Sequence, residues 1–205
     1  MKKLKGTVSL TVVLAICIML FMTGCRGKNL DVSRSTVYVA KDASVVSVDI
    51  EDFAEDYYSE EELNDYISGI IDSYTENYGD TVKLDSIKVE DSVATVKISY
   101  DTVNDYVKLN GLSLFSGTVS EAKADGYSFD GSFYDVSDMS TVTYSPDSED
   151  YVVVAKCVGD ILVDGTIKYV SVVDEGQLVV SDKKDSAGYD GENLLEKTFI
   201  VIYNR

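Results

Sequence analysis

Ser59-Glu60-Glu61-Glu62-Leu63-Asn64-Asp65-Tyr66-Ile67-Ser68-Gly69-Ile70-Ile71-Asp72-Ser73-Tyr74-Thr75-Glu76-Asn77-Tyr78-Gly79 carries the strongest helical signal in a chain that otherwise reads mostly as strands. Ser59 supplies an N-cap oxygen, and Glu62 follows at the spacing of a capping box. Glu60 and Glu61 suit the positive end of the helix dipole. Leu63, Tyr66, Ile67, Ile70, Ile71, Tyr74 and Tyr78 recur every three or four residues, which predicts one apolar face over about 60–78. Gly79 can close the helix as a left-handed cap.

On either side the pattern changes to period two. Thr36–Lys41 and Ser44–Ile50 predict two strands joined at Asp42-Ala43, with Val37 and Val39, then Val46, Val48 and Ile50, alternating. A second hairpin is expected over Ser86–Glu90 and Val93–Tyr100, turning at Asp91-Ser92. Short helical turns fit Asn104–Leu109, closed by Gly111, and Ser120–Asp125, closed by Gly126. Thr141–Glu149 reads as a polar connector holding Pro146, the sole proline. Strands then return at Val152–Cys157, Ile161–Val163, Thr166–Val173, Gln177–Ser181 and Thr198–Tyr203, with turn signals at Asp164-Gly165 and Glu175-Gly176. Asp182–Gly191 reads as a polar loop. The order predicts an α+β domain, with a largely antiparallel sheet or sheets and one long amphipathic helix packed on a face.

The first 24 residues have a different character. Lys2, Lys3 and Lys5 precede an apolar run from Val8 to Met22, and small residues follow. This is the pattern of a secretory signal. The run is shorter than the roughly 20 apolar residues a spanning helix needs. Met22-Thr23-Gly24-Cys25 resembles the lipobox of bacterial lipoproteins, with Met22 where Leu is usual. The resemblance implies cleavage after Gly24 and a diacylglyceryl thioether on Cys25. Two or more acyl chains give the stable anchoring that one chain does not. The expected organisation is therefore a lipoprotein signal peptide over 1–24, a short tether over 25–35 and one extracytoplasmic domain over 36–205. The expected location is the extracytoplasmic face of the cell membrane.

A wider set of stretches points the same way. Tyr38-Val-Ala-Lys-Asp42, Val48-Asp-Ile-Glu-Asp-Phe53 and Tyr57-Tyr-Ser-Glu-Glu-Glu-Leu63 belong to it. So do Leu114-Phe-Ser-Gly-Thr-Val-Ser-Glu-Ala122, Gly126-Tyr-Ser-Phe129 and Gly165-Thr-Ile-Lys-Tyr-Val-Ser171. Together they are similar to uncharacterised lipoproteins of anaerobic Gram-positive bacteria. That group brings an address and no activity.

Charge narrows the partners. All 36 acidic residues lie after Cys25, while three of the 18 basic ones precede it, so the chain from Cys25 onward carries a net charge of −21. Such a surface repels polyphosphate and anionic lipid, which argues against nucleic-acid binding and against membrane docking by charge. It suits solubility, cation binding or a basic partner.

The chemistry-bearing residues exclude more than they assign. The chain has no His, so Ser-His-Asp and Cys-His arrangements cannot form within it. With Cys17 in the signal and Cys25 lipidated, Cys157 remains alone and cannot build a thiolate metal site. Its strand, Val152–Val158, reads it as a small core residue. Ser120-Glu-Ala-Lys123 matches the Ser-x-x-Lys nucleophile motif of penicillin-binding-type acyl enzymes, but the accompanying Ser-Asp-Asn and Lys-Thr-Gly elements are missing. An N-cap Ser with an exposed Lys is the simpler reading. The acids from Asp49 to Asp65, and the group Asp182, Asp185, Asp190 and Glu192, lack EF-hand spacing and read as solvated faces. Most placed tyrosines fall on apolar faces and read as core.

These observations predict a membrane-anchored, non-enzymatic binding or envelope-associated module with no cofactor and no metal site. Its partners would be membrane lipid, through acylated Cys25, and a cell-envelope component or protein. The alternatives are a carboxylate-dependent hydrolase of cell-wall glycans and a small solute- or cation-binding lipoprotein.

Overall fold

A computed structural model describes residues 30–156, 159–173, 176–190 and 198–205. The signal segment, Cys25 and Cys157 lie outside the described residues. Among those that are described, no helix is long and apolar enough to cross a membrane.

The strands form two sheets. The first holds β1 (Thr36–Val39), β2 (Val45–Asp52), β3 (Val82–Glu90), β4 (Val93–Tyr100), β9 (Asp160–Val163), β11 (Gln177–Val180) and β12 (Ser186–Asp190), in the order β11-β12-β9-β1-β2-β4-β3. The second holds β5 (Leu114–Thr118), β6 (Ser132–Asp135), β7 (Ser140–Thr143), β8 (Tyr151–Ala155), β10 (Thr166–Ser171) and β13 (Phe199–Asn204), in the order β5-β8-β13-β10-β6-β7. Among the described residues every pairing is antiparallel except β1 with β9. The largely antiparallel α+β reading therefore holds.

The helical part is not a single helix. Beside α1 (Glu60–Tyr78) stand α2 (Val103–Asn110) and α3 (Val119–Ala124). The apolar stripe of α1 is also narrower than its spacing predicts. Ile71 and Tyr74 are buried, and Leu63 and Ile67 pack beside them, whereas Tyr66 and Tyr78 are 68% and 59% exposed. Gly79 has a positive φ of 96° with ψ 171°, so it is not the expected left-handed cap, while its N–H still donates to the Thr75 carbonyl. Gly111 does close α2 in the left-handed region, at φ 66° and ψ 14°. The third helix starts one turn-position earlier than predicted. Its N-cap is Thr118, which exchanges both capping-box hydrogen bonds with Glu121.

One core joins the two sheets. Val37, Val45, Ile98 and Ile161 of the first meet Val153, Val170, Val201 and Tyr203 of the second, with Ile71 and Tyr74 of α1 completing it. A second core lies on the far side of the second sheet, where Val152, Val154, Ile200 and Ile202 meet Val119, Ala122, Phe129 and Phe133. Alternation along β13 feeds both: Phe199, Val201 and Tyr203 enter one core, Ile200 and Ile202 the other.

Four strands were not expected. β5, β6 and β12 arise in stretches read as irregular, and β7 overlaps the start of the predicted polar connector. The 182–191 segment supplies β12 because Ser186 and Ala187 pair with Leu162 and Ile161, and 187–190 pair with β11.

The entry to the domain is tied down. Arg34 donates to Asp160 at 3.1 Å, to the Tyr189 carbonyl at 3.1 Å and to Asp190. Ser35 Oγ bridges the Ile50 N–H and carbonyl, and the Ser35 carbonyl accepts from Asp160 N–H at 2.8 Å. Gly159 permits this approach: a Cβ there would stand 1.9 Å from the Ser35 carbonyl oxygen. Arg34 and Ser35, expected in the tether, thus belong to the folded body.

Candidate functional site

An open cleft of about 580 Å³ lies between the loop that leaves α3 and the segment that follows β7. Its first wall is set by the helix end. Gly126 N–H donates to Lys123 and Tyr127 N–H to Ala122, which reverses the chain and lays the Tyr127 ring 5.3 Å from Phe115. Ser128 Oγ donates to Asp130 at 2.7 Å and accepts from Asp130 N–H at 3.1 Å, fixing the loop. Phe129 is buried as the floor, and Lys123 Nζ stands 5.7 Å from its ring centre.

The second wall is Thr143, Tyr144, Ser145 and Pro146. The Tyr144 ring stacks on Tyr169 at 3.9 Å, and its hydroxyl donates to Asp150 at 2.8 Å. Burial and the Asp150 carboxylate push the Tyr144 phenol far above its ordinary range, so it stays protonated. Asp150 also accepts from Asp147 N–H and pairs with Lys168 at 3.5 Å, which fixes this wall to β10. Tyr127 and Tyr144 are half-buried, and Ser128, Asp130, Thr143 and Ser145 are exposed. The volume falls within the roughly 300–1,000 Å³ of small-ligand pockets.

A second recess, about 110 Å³, is lined by Ser47, Asp49, Glu51, Tyr106 and Asn110, among others. Asn110 donates to the Tyr100 hydroxyl at 3.2 Å, Tyr100 and Ser47 hydroxyls stand 3.5 Å apart, and Ser47 donates to Asp49 at 3.2 Å. Asp49 is exposed to solvent overall, with the protein around the recess covering only part of it. Burial pushes its carboxyl above the ordinary carboxylate range; the Ser47 hydrogen bond opposes this and the Glu51 charge adds to it.

The residues singled out in the sequence fare differently. Ser120 is the second residue of α3 rather than its cap, and Lys123 lies at the cleft edge over Phe129, so Ser-x-x-Lys is a helix start. Asp185 accepts from Ser181, and Asp190 pairs with Arg34, so those acids are not one cluster; Glu192 lies outside the described residues. Among the described residues no group of three or more Cys, Asp or Glu side chains could hold a metal. Cys25, the expected lipidation site, lies outside them as well. Sequence reasoning singled out neither Tyr127, which follows a predicted helix end, nor Tyr144, which lies in the predicted polar connector.

Comparison with protein-family models, with curated proteins and with solved structures found no match.

Proposed function

We propose that this chain is a lipid-anchored extracytoplasmic binding protein, held by acylated Cys25, that takes a polyhydroxylated ligand such as a glycan segment into the Tyr127–Tyr144 cleft. The observation that carries this reading is the cleft itself. It sets two half-buried tyrosines, Tyr127 and Tyr144, among the Ser128, Thr143 and Ser145 hydroxyls and the Asp130 carboxylate. Aromatic faces suit the C–H faces of a sugar ring, and a few placed polar groups orient it. The anchor rests on Met22-Thr23-Gly24-Cys25. With Arg34 docked on the body, the eight residues from Arg26 to Ser33 reach no more than about 28 Å, which would keep the domain near the membrane.

The competing hydrolase reading draws on Asp49 and Glu51, a raised carboxyl beside a second acid. Their recess of about 110 Å³ is well below the size that admits a sugar-sized ligand. Binding without catalysis is therefore the reading we carry.

Calorimetry with N-acetylglucosamine oligomers should show saturable binding by the full chain. Tyr127→Ala should weaken it about tenfold, the effect of losing one aromatic contact. No heat with the unaltered protein would sink the glycan reading. Independently, Cys25→Ala should move the protein from the membrane to the medium; unchanged retention would remove the anchor.

A further inference from the structure

A corner of the first sheet, distant in sequence from the cleft, gathers aromatic rings on the protein surface. Phe53 extends β2 by one more hydrogen bond, its N–H donating to Ser92 at 2.8 Å. Asp52 then caps Ala54 N–H at 3.1 Å, and Tyr58 N–H donates to Glu55 at 3.0 Å, folding 53–58 into a turn before Ser59. The turn stacks three rings on the outside of the protein. Phe53 and Tyr58 lie 4.7 Å apart at 25°, and Tyr57 meets Tyr58 edge-on at 4.8 Å. Tyr57 is 72% exposed and Tyr58 44%, and Val93, opposite Asp52 in the ladder, is also exposed.

Tyr58 stacks on Phe53, while most of the Tyr57 ring faces solvent. Tyr is among the residues that most often dominate protein interfaces when presented as a rigid, low-entropy surface. Its neighbours set the partner's charge. Glu51, Asp52, Glu55, Asp56, Glu60, Glu61 and Glu62 flank the rings, and no Lys or Arg occurs between Lys41 and Lys83. On β3, one strand beyond the neighbouring β4, Lys88 is engaged by Glu90 at 2.7 Å.

We propose that the Phe53–Tyr57–Tyr58 corner docks a basic polypeptide segment, whose Arg or Lys side chains lie over the tyrosine faces and between the surrounding carboxylates. A cation over each exposed ring strengthens binding about two- to fivefold. The carboxylates that flank the rings in sequence add attraction and speed encounter, an effect that fades over about one Debye length. A run of acids spread over a dozen residues fits several cations spaced along a chain better than one ammonium group. An anionic lipid surface is repelled by the same charges. The proposal does not depend on the glycan cleft.

The test is fluorescence anisotropy of a labelled decapeptide of alternating Arg and Ser, with the full chain in neutral detergent. An alternating Glu-Ser peptide serves as the comparison. The basic peptide should bind and the acidic one should not. Tyr57→Ala with Tyr58→Ala should weaken binding about tenfold at constant charge, from two lost ring contacts. Tyr57→Ser alone, at the most exposed ring, should weaken it about threefold and secures the result should the double variant fold poorly. Asp138→Asn with Glu149→Gln removes the same number of charges as Glu55→Gln with Asp56→Asn, yet should change affinity less than twofold while the local pair loses about tenfold. Absent binding, equal affinity after the tyrosine changes, or an equal loss from the distant charge pair would each overturn the proposal.

Discussion

Asp105 and Asp49 lie towards opposite ends of α2, one nearly buried and one exposed, and their surroundings oppose each other. Asp105 sits in the first turn of α2 and is 8% exposed. Its Oδ1 accepts from Tyr74 at 2.8 Å and Thr81 at 3.0 Å, and its Oδ2 accepts from the Thr102 hydroxyl at 2.5 Å. Burial alone would raise the carboxyl, but the hydrogen bonds from Thr102, Tyr74 and Thr81 together hold it below its ordinary value. Asp49 faces the other end of the helix, near Asn110, with one hydroxyl donor and an acidic neighbour, and is raised. The pair differs in donors as well as in exposure: the nearly buried carboxyl is lowered by three converging hydroxyls, and the exposed one is raised with a single donor. Asp105 is a structural knot that ties α1, the start of β3 and α2 together. Asp49 is an acid with spare acceptor capacity facing a recess.

The contrast predicts a large effect at the knot. Asp105→Ala removes the acceptor of three hydroxyls at once, the nearly buried Tyr74 hydroxyl among them. The cost should be about 3 kcal/mol in urea unfolding, since stranded buried donors cost more than an ordinary hydrogen bond contributes. A loss below about 1 kcal/mol would show that the three contacts carry no weight. Because the folded pKa is depressed, the folded state binds fewer protons than the unfolded one below neutral pH. This stability is complete above the unfolded carboxyl value near 3.9 and disappears as pH falls through the folded value. Asp105→Asn should therefore remove part of the acid-induced loss of stability.

A smaller change on the same knot is Tyr74→Phe. Burial first, and then the Asp105 hydrogen bond and charge, push the Tyr74 phenol up to about 12. Removing the hydroxyl keeps the ring packed and leaves Asp105 its two threonine donors. The expected cost is about 1–1.5 kcal/mol, measured by the same unfolding. A cost equal to that of Asp105→Ala would mean that Tyr74 alone holds the carboxylate and would erase the contrast in donor number.

How much of this was legible depended on whether the signal was local. The α1 helix declared itself through Ser59, Glu62 and the Leu63–Tyr74 spacing, and the Asp91-Ser92 turn through two short polar residues, both at positive φ. The strands that escaped reading lack a period-two apolar pattern. Ser186-Ala-Gly-Tyr-Asp190 is a strand because β9 and β11 flank it, and Gly188 is needed there because a Cβ would stand 2.2 Å from the Asp160 carboxylate. Tyr66 and Tyr78 fit the helical stripe but stay exposed, because the margins of an amphipathic face pack only where a neighbour exists. The cleft was illegible for a stronger reason. Tyr127 and Tyr144 become walls of one cavity only through the Tyr169 stack and the Asp150 tie, neither of which is a sequence pattern. Asp49 was visible as one acid among many, and nothing local distinguished it from Asp52.

Asp49→Asn is the smallest of the effects and the one of opposite sign. A raised folded pKa means that the folded state holds its proton more tightly than the unfolded chain. Stability contributed by this group is therefore lost as pH rises from the unfolded value through the folded one, the reverse of Asp105. Replacing the carboxyl by an amide removes that loss while keeping a hydrogen-bonding group beside Ser47. The variant should gain a fraction of a kcal/mol at pH 7, kept small by solvent reaching the side chain, and nothing below the ordinary Asp range. Paired unfolding curves at pH 7 and pH 3 test it. A destabilised variant at pH 7 would show that the Asp49 charge is satisfied in the fold after all, and the recess would then differ from the Asp105 knot only in exposure.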